Sequence, residues 1–433
     1  MRSHPGILWD EGLMAGVIKL AVLGGSSVAT PQLIHALGAQ SERPPVEVVL
    51  LGRTGSKLES VAAVSARLAS RASVPLKVAH TIDLPRGLEG ADYILNQVRV
   101  GGYAARAYDE SFPHAFGLPG EETYGPGGMN NALRTIPVTL GHCRVIEQVA
   151  PEALLINLTN PSSFVQYAVT RYTHVQVVGV CDSPVWLAGS LASLLGAPPG
   201  EIWVGYVGMH HFGWVTEARW RGRDVMPEVM RRLEGLPGLP VDMDFVRAMG
   251  AIPTSYFRYY YHPNRMLDKQ RGQKTRAEQL LELEEKILSD YENISLNGVP
   301  DSLQRRGARW YEQIVVPVLL AHANDARAVF TLNVVNAAAL PWMSPEAIVE
   351  LPVVVTRHGF HPLQPPAAPP DIQAMVRLNA AFEMLWVEAV VEGSYDKALR
   401  AMMLNHLVQN LDQARLILKE IWPGENRPPL EVP

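Results

Sequence analysis

Five short apolar runs punctuate the first half of the chain: VIKLAVLGG (17–25), VEVVLLG (46–52), YILNQVRV (93–100), ALLINLT (153–159) and VQVVGV (175–180). Each has the length of a buried strand. Helical patterns such as SKLESVAAVSARLA (56–69) and NALRTIPVTLGHCRVIEQVA (131–150) separate most of them. Apolar strands alternating with helices imply a parallel sheet covered on both faces. The pattern predicts an N-terminal extension (1–16), then one doubly wound α/β domain over 17–195.

Beyond residue 195 the pattern changes. IWVGYVGMHHFGWVTEARW (202–220) reads as paired strands or a hairpin, and ARAVFTLNVV (326–335) and AIVELPVVVT (347–356) as further strands. In TRAEQLLELEEKILSDYEN (275–293), Leu280, Leu283, Ile287 and Tyr291 recur at three- and four-residue intervals, which predicts a long amphipathic helix. HPLQPPAAPP (361–370) reads as a rigid loop and WPGENRPPLEVP (422–433) as a loose tail. A mixed α/β domain over 196–433 is expected, with a cleft between the two halves.

Composition narrows the class. The 433 residues are 47% hydrophobic and 19% charged, with a net charge of −5 and both signs interspersed. There is no basic stripe for nucleic acid, and no apolar run approaches the ~18 residues of a membrane span. Residues 1–16 lack the cationic start and long apolar core of a secretory signal. Two cysteines, Cys143 and Cys181, make no disulfide framework, so a reducing, cytoplasmic setting is expected.

Candidate chemistry gathers at strand ends. LGGSSVATP (23–31) closes the first strand and opens a helix, and Gly24, Gly25, Ser26 and Ser27 form the turn where a pyrophosphate would meet helix N–H groups. The acid that usually binds the ribose hydroxyls is missing; Gly52 and Arg53 stand there, and an arginine suits a 2′-phosphate, so NADP competes with NAD. Cys181 ends the fifth strand at the ligand-binding edge. His210 and His211 in GMHHFGW (208–214) are hard to bury without partners. Thiolate and imidazole are good transition-metal donors, and two protein ligands leave positions open for substrate. Taken alone, the tyrosines of SYFRYYYHP (255–263) read as a strand or loop packing its rings, Asn160 in LTNPSS suits either a sugar hydroxyl or a helix cap, and the arginines of RRGARW (305–310) suit phosphate but more commonly mark a solvated loop.

Together these segments resemble glycoside hydrolase family 4, the NAD- and divalent-metal-dependent glycosidases, and look closest to its 6-phospho-β-glucosidase branch. The resemblance runs from about residue 17 to about residue 360. Its carriers are GGSSVATP, NQVRVGGYAARAYDE, GPGG…LRTIPV, INLTNP, GVCDSP, GMHHFGW, the tyrosine cluster, TRAEQLLELE and RRGARWY. It implies a lactate/malate-dehydrogenase-like Rossmann domain and a metal, usually manganese, on Cys181 and His211. It implies Tyr256 as the base at C2, with Tyr259 and Tyr260 as rivals, and Asp182 as a proton donor to the leaving oxygen. Arg99 and Asn160 fall near the substrate, Arg306 on its phosphate side, and a homodimer or homotetramer is expected. The implied reaction is redox elimination: hydride transfer from C3 to NAD, loss of the C2 proton, a metal-stabilised enediolate, then departure of the aglycone, in contrast to paired-carboxylate hydrolysis.

The chain departs from the family pattern at four places. GGSS stands for the usual GGGS, Gly52 for the ribose-binding acid, His210 for an asparagine, and RRGARWY matches loosely. Asp182 is the residue associated with 6-phospho-α-glucosidases, against the branch indicated by the rest. Two other readings compete: an NAD(P)-dependent sugar or hydroxy-acid dehydrogenase of the lactate/malate dehydrogenase fold, needing no Cys181, and a sugar-phosphate or nucleotide sensor whose chemistry has decayed.

Overall fold

The computed structural model describes residues 16–423 except 199, 235–238, 293–297 and 366. The predicted N-terminal extension and most of the tail lie outside the described residues.

Six strands form the expected parallel sheet: β1 (Ile18–Leu23), β2 (Val46–Leu51), β3 (Leu76–Thr81), β4 (Tyr93–Asn96), β5 (Leu154–Asn157) and β6 (Gln176–Gly179). Their spatial order is 3-2-1-4-5-6, that of a Rossmann domain, with the switch point between β1 and β4. The helices Thr30–Gly38, Gly55–Ala69, Gly125–Val149 and Ser162–Tyr172 connect or cover these strands. Strand β1 has four consecutive buried residues, Leu20 to Leu23, because both faces of the sheet are covered.

The antiparallel strands continue the same sheet. They are β7 (Ile202–Met209), β8 (Phe212–Trp220), β9 (Arg223–Asp224), β10 (Ile252–Pro253), β11 (Ala328–Val335), β12 (Ile348–Thr356) and β13 (Gly359–Pro362). From β6 the order runs β11, β12, β7, β8, β10, with β13 beside β12 and β9 beside β8. Two junctions, each one register pair wide, carry the sheet across: Gly179 opposite Asn333, and Gly208 opposite Glu350. A Cβ on Gly179 would lie 2.4 Å from Gln166 Oε1 and 2.8 Å from Asn333 Cβ, so the close crossing requires glycine.

Several expectations are corrected. The third run ends as a strand at Asn96, four residues early, because the chain turns into the cleft there. The loop expected at 361–370 gives two residues to β13 and its last proline to the helix Pro370–Glu392. The tyrosine cluster is helical at Phe257–Tyr261, neither strand nor loop. Strand β3 escaped the pattern because it is an edge strand: Lys77, Ala79 and His80 alternate irregularly between water and partial cover. The predicted helix occupies Arg276–Tyr291, with a capping box between Thr275 and Glu278.

The C-terminal helices Pro370–Glu392, Tyr395–Leu404 and Leu411–Ile421 pack back on Gly125–Val149 and build a second core around Trp386, whose indole N–H donates to Met129 O at 3.1 Å. No described helix is long and apolar enough to cross a membrane. Within this core Glu383 accepts from Asn379 Nδ2 at 2.7 Å, and burial pushes its carboxyl up to about 8. A raised carboxyl pKa means that the native state holds a proton which the unfolded chain releases above about 4.5, so this group costs stability as pH climbs toward 8. Glu383→Gln should remove that loss: its melting temperature should exceed the parent's at pH 8 and converge with it near pH 5, corresponding to a few kcal/mol on the linkage scale of about 1.4 kcal/mol per unit.

Candidate active site

The carboxyl ends of the parallel strands and the β7–β8 turn face one cleft of about 890 Å³. Its walls include Gly24, Ser26, Ser27, Arg53, Arg99, Asn160, Cys181, Asp182, His211, Tyr256 and Arg306. Eleven of the twelve residues singled out from the sequence therefore converge. Gly25 is the exception: a Cβ there would lie 2.8 Å from the Leu50 and Leu51 backbone, so it serves the packing of the turn on β2 and does not face the cleft.

At one end the glycine turn leads into the helix Thr30–Gly38, leaving an open wall of Gly24, Ser26, Ser27 and Arg53. A Cβ on Gly52 would sit 3.2 Å from Ser26 Cβ and 3.3 Å from Ser26 Oγ. The extra carbon at 26 and the missing side chain at 52 thus share one gap. Arg53 is exposed. Across the cleft, Gly101 and Gly102 have φ of +79° and +65°, the left-handed region that favours glycine. An elongated groove at the switch point, floored by a glycine turn, fits a dinucleotide.

The same cleft holds a cluster of candidate metal-ligating side chains. Cys181, two residues past β6, has its sulfur 3.4 Å from the Ser183 amide, which donates to it. His210 and His211 form a two-residue turn between β7 and β8, a place where glycine or asparagine is usual. His211 takes φ of 60°, and its carbonyl accepts from the Tyr124 hydroxyl and, at 3.1 Å, from Thr254 Oγ1. These bonds hold a conformation that an unsupported histidine would leave. Its Nδ1 lies 3.2 Å from Thr123 Oγ1. The donor atoms of Cys181, His210 and His211 lie within 4.8 Å of one another and all three residues are buried. Burial, then the charges of Glu350 and Asp182, pushes the Cys181 thiol well above its ordinary value, and burial pulls both imidazoles down. A buried neutral thiol beside two neutral imidazoles is costly alone and fits a divalent cation, which converts the thiol to thiolate.

Tyr256 stacks on the His211 ring at 3.6 Å between centroids and 10° between planes. Tyr259 and Tyr260 do not line the cleft; Tyr260 stacks instead on His406 at 3.8 Å. The cluster that blurred the register in sequence separates in space. Burial and nearby acids raise the Tyr256 phenol, so ionising it needs a cation beside it. Burial also raises the Asp182 carboxyl.

Glu122 ties the substrate side together. Arg99 Nη1 approaches its Oε2 at 2.6 Å, Arg106 Nη1 its Oε1 at 3.2 Å, and Asn160 Nδ2 donates to Oε1 at 3.3 Å. Burial alone would raise this carboxyl, but the Arg106 and Arg99 guanidiniums overcome it and hold the pKa at about 2. Asn160 Oδ1 lies 2.9 Å from His210 Nε2. One chain of contacts therefore runs from the arginines to the metal histidines. Near Arg306, Arg276 also lines the cleft. Burial first, then the positive charges of Arg306 and Arg106, pulls Arg276 down. Arg306 Nε is buried without a partner, and its guanidinium sits over the Trp310 ring at 5.1 Å. Converging cations short of carboxylates make an anion site.

Sequence reasoning missed Glu122, Arg106 and Arg276 and left His210 undecided. Arg276 carried a signal: it opens a helix, where a cation opposes the dipole unless an anion is near.

The comparisons with known proteins agree with this geometry. Residues 19–197 match the model described as Family 4 glycosyl hydrolase, and 206–408 that of the Family 4 glycosyl hydrolase C-terminal domain. The chain belongs to glycoside hydrolase family 4. It is 30% identical to a probable 6-phospho-beta-glucosidase of Bacillus subtilis over 93% of this chain and 95% of that one. It is 27% identical to a phospho-alpha-glucosidase of Clostridium acetobutylicum over 93% and 96%. Among solved structures, the 6-phospho-beta glucosidase of Thermotoga maritima with manganese, NAD+ and glucose-6-phosphate superposes at a TM-score of 0.87 and 25% identity, covering 93% of this chain and 97% of that one. An L-lactate dehydrogenase of Enterococcus mundtii, 13% identical, superposes at 0.55 over 86% and 98%, a likeness of fold alone.

Cys181→Ser should abolish divalent-ion binding measured by calorimetry while leaving the far-ultraviolet dichroism of the parent. Undiminished binding would take the thiolate out of the site.

Proposed function

We propose that the chain is a 6-phosphoglucosidase that works by redox elimination, with NAD and a divalent ion in the cleft. The observation that carries the reading is the convergence of Cys181, the histidine turn and Tyr256 on the one cleft that the glycine turn and an arginine pair also line. Relatives with 6-phospho-β- and 6-phospho-α-glucosidase names, and neighbours solved with NAD and glucose-6-phosphate, support it.

When bound, the dinucleotide supplies a reversible hydride acceptor for C3 and the ion a Lewis acid for the sugar oxygens beside it. Arg306 and Arg276 hold the 6-phosphate and fix the sugar along the cleft. Arg99 and Asn160, oriented by Glu122, hold sugar hydroxyls. Tyr256, ionised to its phenolate, takes the C2 proton and becomes the neutral phenol; its ring, stacked on His211, keeps the oxygen at the cleft wall. The Asp182 carboxyl, kept protonated to higher pH by burial, gives its proton to the departing oxygen. Ring packing around Tyr256 and Phe212 limits water on that side.

For the anomer, overall similarity to the Bacillus relative favours β. Asp182 favours α, because a carboxyl after the cysteine is the pattern associated with that branch. A panel of α- and β-linked nitrophenyl glucosides, with and without 6-phosphate, assayed with manganese and NAD, tests both readings. Turnover of phosphorylated substrates is expected. Arg306→Met and Arg276→Met should each raise their KM at least about tenfold. Turnover without NAD or metal would overturn the mechanism.

Tyr256→Phe should slow exchange of the C2 proton with deuterated solvent by about a hundredfold or more. Exchange at the parental rate would assign the base elsewhere.

A further inference from the structure

We propose that the divalent-ion site of this chain has three protein ligands, with His210 Nδ1 joining the Cys181 thiolate and His211 Nε2, and that this set selects zinc- or cobalt-like ions over manganese. The proposal rests on the family 4 reading for the presence of an ion, and goes beyond it in the third ligand and the ion chosen.

The hydrogen bonds fix which ring nitrogens are free. Asn160 donates through Nδ2 to the Glu122 carboxylate, which can only accept, so its Oδ1 faces His210. That amide oxygen also only accepts; His210 Nε2 therefore carries the proton, and the lone pair lies on Nδ1. Nδ1 is fully buried and has no hydrogen-bond partner. At His211, Nδ1 is engaged by Thr123 Oγ1 at 3.2 Å; a hydroxyl both donates and accepts, and the lone pair lies on Nε2 in the tautomer in which Nδ1–H donates to it. One ring nitrogen from each histidine and Cys181 Sγ lie within 4.8 Å of one another, a span that small side-chain rotations close around an ion with bonds of about 2.0–2.3 Å.

The surroundings support the third ligand. Glu350 Oε1 lies 4.0 Å from His210 Nδ1, and the carboxyl is itself held by Tyr206 Oη at 2.7 Å and Asn333 Nδ2 at 3.1 Å. The two imidazoles stack at 3.8 Å with 25° between planes, so His210 is locked in place. An unpaired lone pair in such a setting is costly, and a metal bond removes the cost. An asparagine at 210, the family pattern, would leave two protein ligands and more open positions. Two imidazoles and a thiolate form a softer set, which favours zinc and cobalt, whereas manganese stands lowest in divalent affinity and prefers oxygen.

The test is ion binding to the metal-free full chain, by calorimetry and by competition with a chromophoric chelator, for Mn2+, Co2+ and Zn2+, with the cobalt absorption spectrum recorded. Parental protein should bind Zn2+ and Co2+ at least about tenfold more tightly than Mn2+. The cobalt form should show a thiolate charge-transfer band and intense visible bands of low coordination number. His210→Asn should keep the charge-transfer band, shift and weaken the visible bands, and lose at least about tenfold in Zn2+ and Co2+ affinity with little change for Mn2+. His210→Gln, with melting curves of both metal-free variants, controls for folding. Variants with parental cobalt spectra and affinities would overturn the third ligand and leave the two-ligand site standing. A parental chain that binds none of the three ions would overturn the metal site altogether.

Discussion

The site depends on a seam. The parallel and antiparallel halves share one sheet through a narrow contact, Gly179 with Asn333, and a second narrow contact, Gly208 with Glu350, joins β12 to β7 within the antiparallel half. Cys181 stands two residues beyond the first contact and His210 two beyond the second. Because side chains alternate across a sheet, a slip of one residue at either contact would send a ligand to the opposite face. The seam buries polar groups to hold its register: Glu350 and Asn333 are fully buried, and they bond to each other and, through Glu350, to Tyr206. Burial drives the Glu350 carboxyl up to about 8.

Around this seam each half supplies what the other lacks. The parallel half brings the glycine turn, Asn160, Cys181 and Asp182; the antiparallel half brings the histidine turn. Tyr256, at the turn before the helix Phe257–Tyr261, and Arg276 and Arg306, from helices of the second half, also line the cleft. Glu122 joins them electrostatically, because its negative charge persists at any ordinary pH between two guanidiniums. A carboxylate so committed to arginine is a poor proton carrier, whereas burial raises the Asp182 carboxyl and the Tyr256 phenol.

Much of this was legible in the chain because the relevant residues sit where patterns end. Strands β1, β2, β5 and β6 are continuous apolar runs, and their carboxyl ends, with the histidine turn, carried Ser26, Asn160, Cys181 and His211 into view. What escaped depends on contacts between distant segments. Strand β3 has water on part of its surface and so lacks an apolar run. The acid pair Glu121–Glu122 looks like a solvated loop until Arg99 and Arg106 close on it. Arg276 shows in the sequence only as a cation at a helix start, and the charge of Arg306 nearby marks it out. The tyrosines lie within five residues of one another, so the sequence left Tyr259 and Tyr260 as rivals to Tyr256, and it is Tyr256 that lines the cleft and stacks on His211.

The gap shared by positions 26 and 52 bears on how this chain diverged. In the family pattern a third glycine leaves room for an acid at the end of β2; here serine fills the turn and glycine ends the strand. Serine at 26 with an acid at 52 would crowd two side chains into space measured for one. The two positions are therefore coupled through space: a side chain at 52 requires Ser26 to give way by a few tenths of an ångström, so what position 52 can carry depends on what stands at 26.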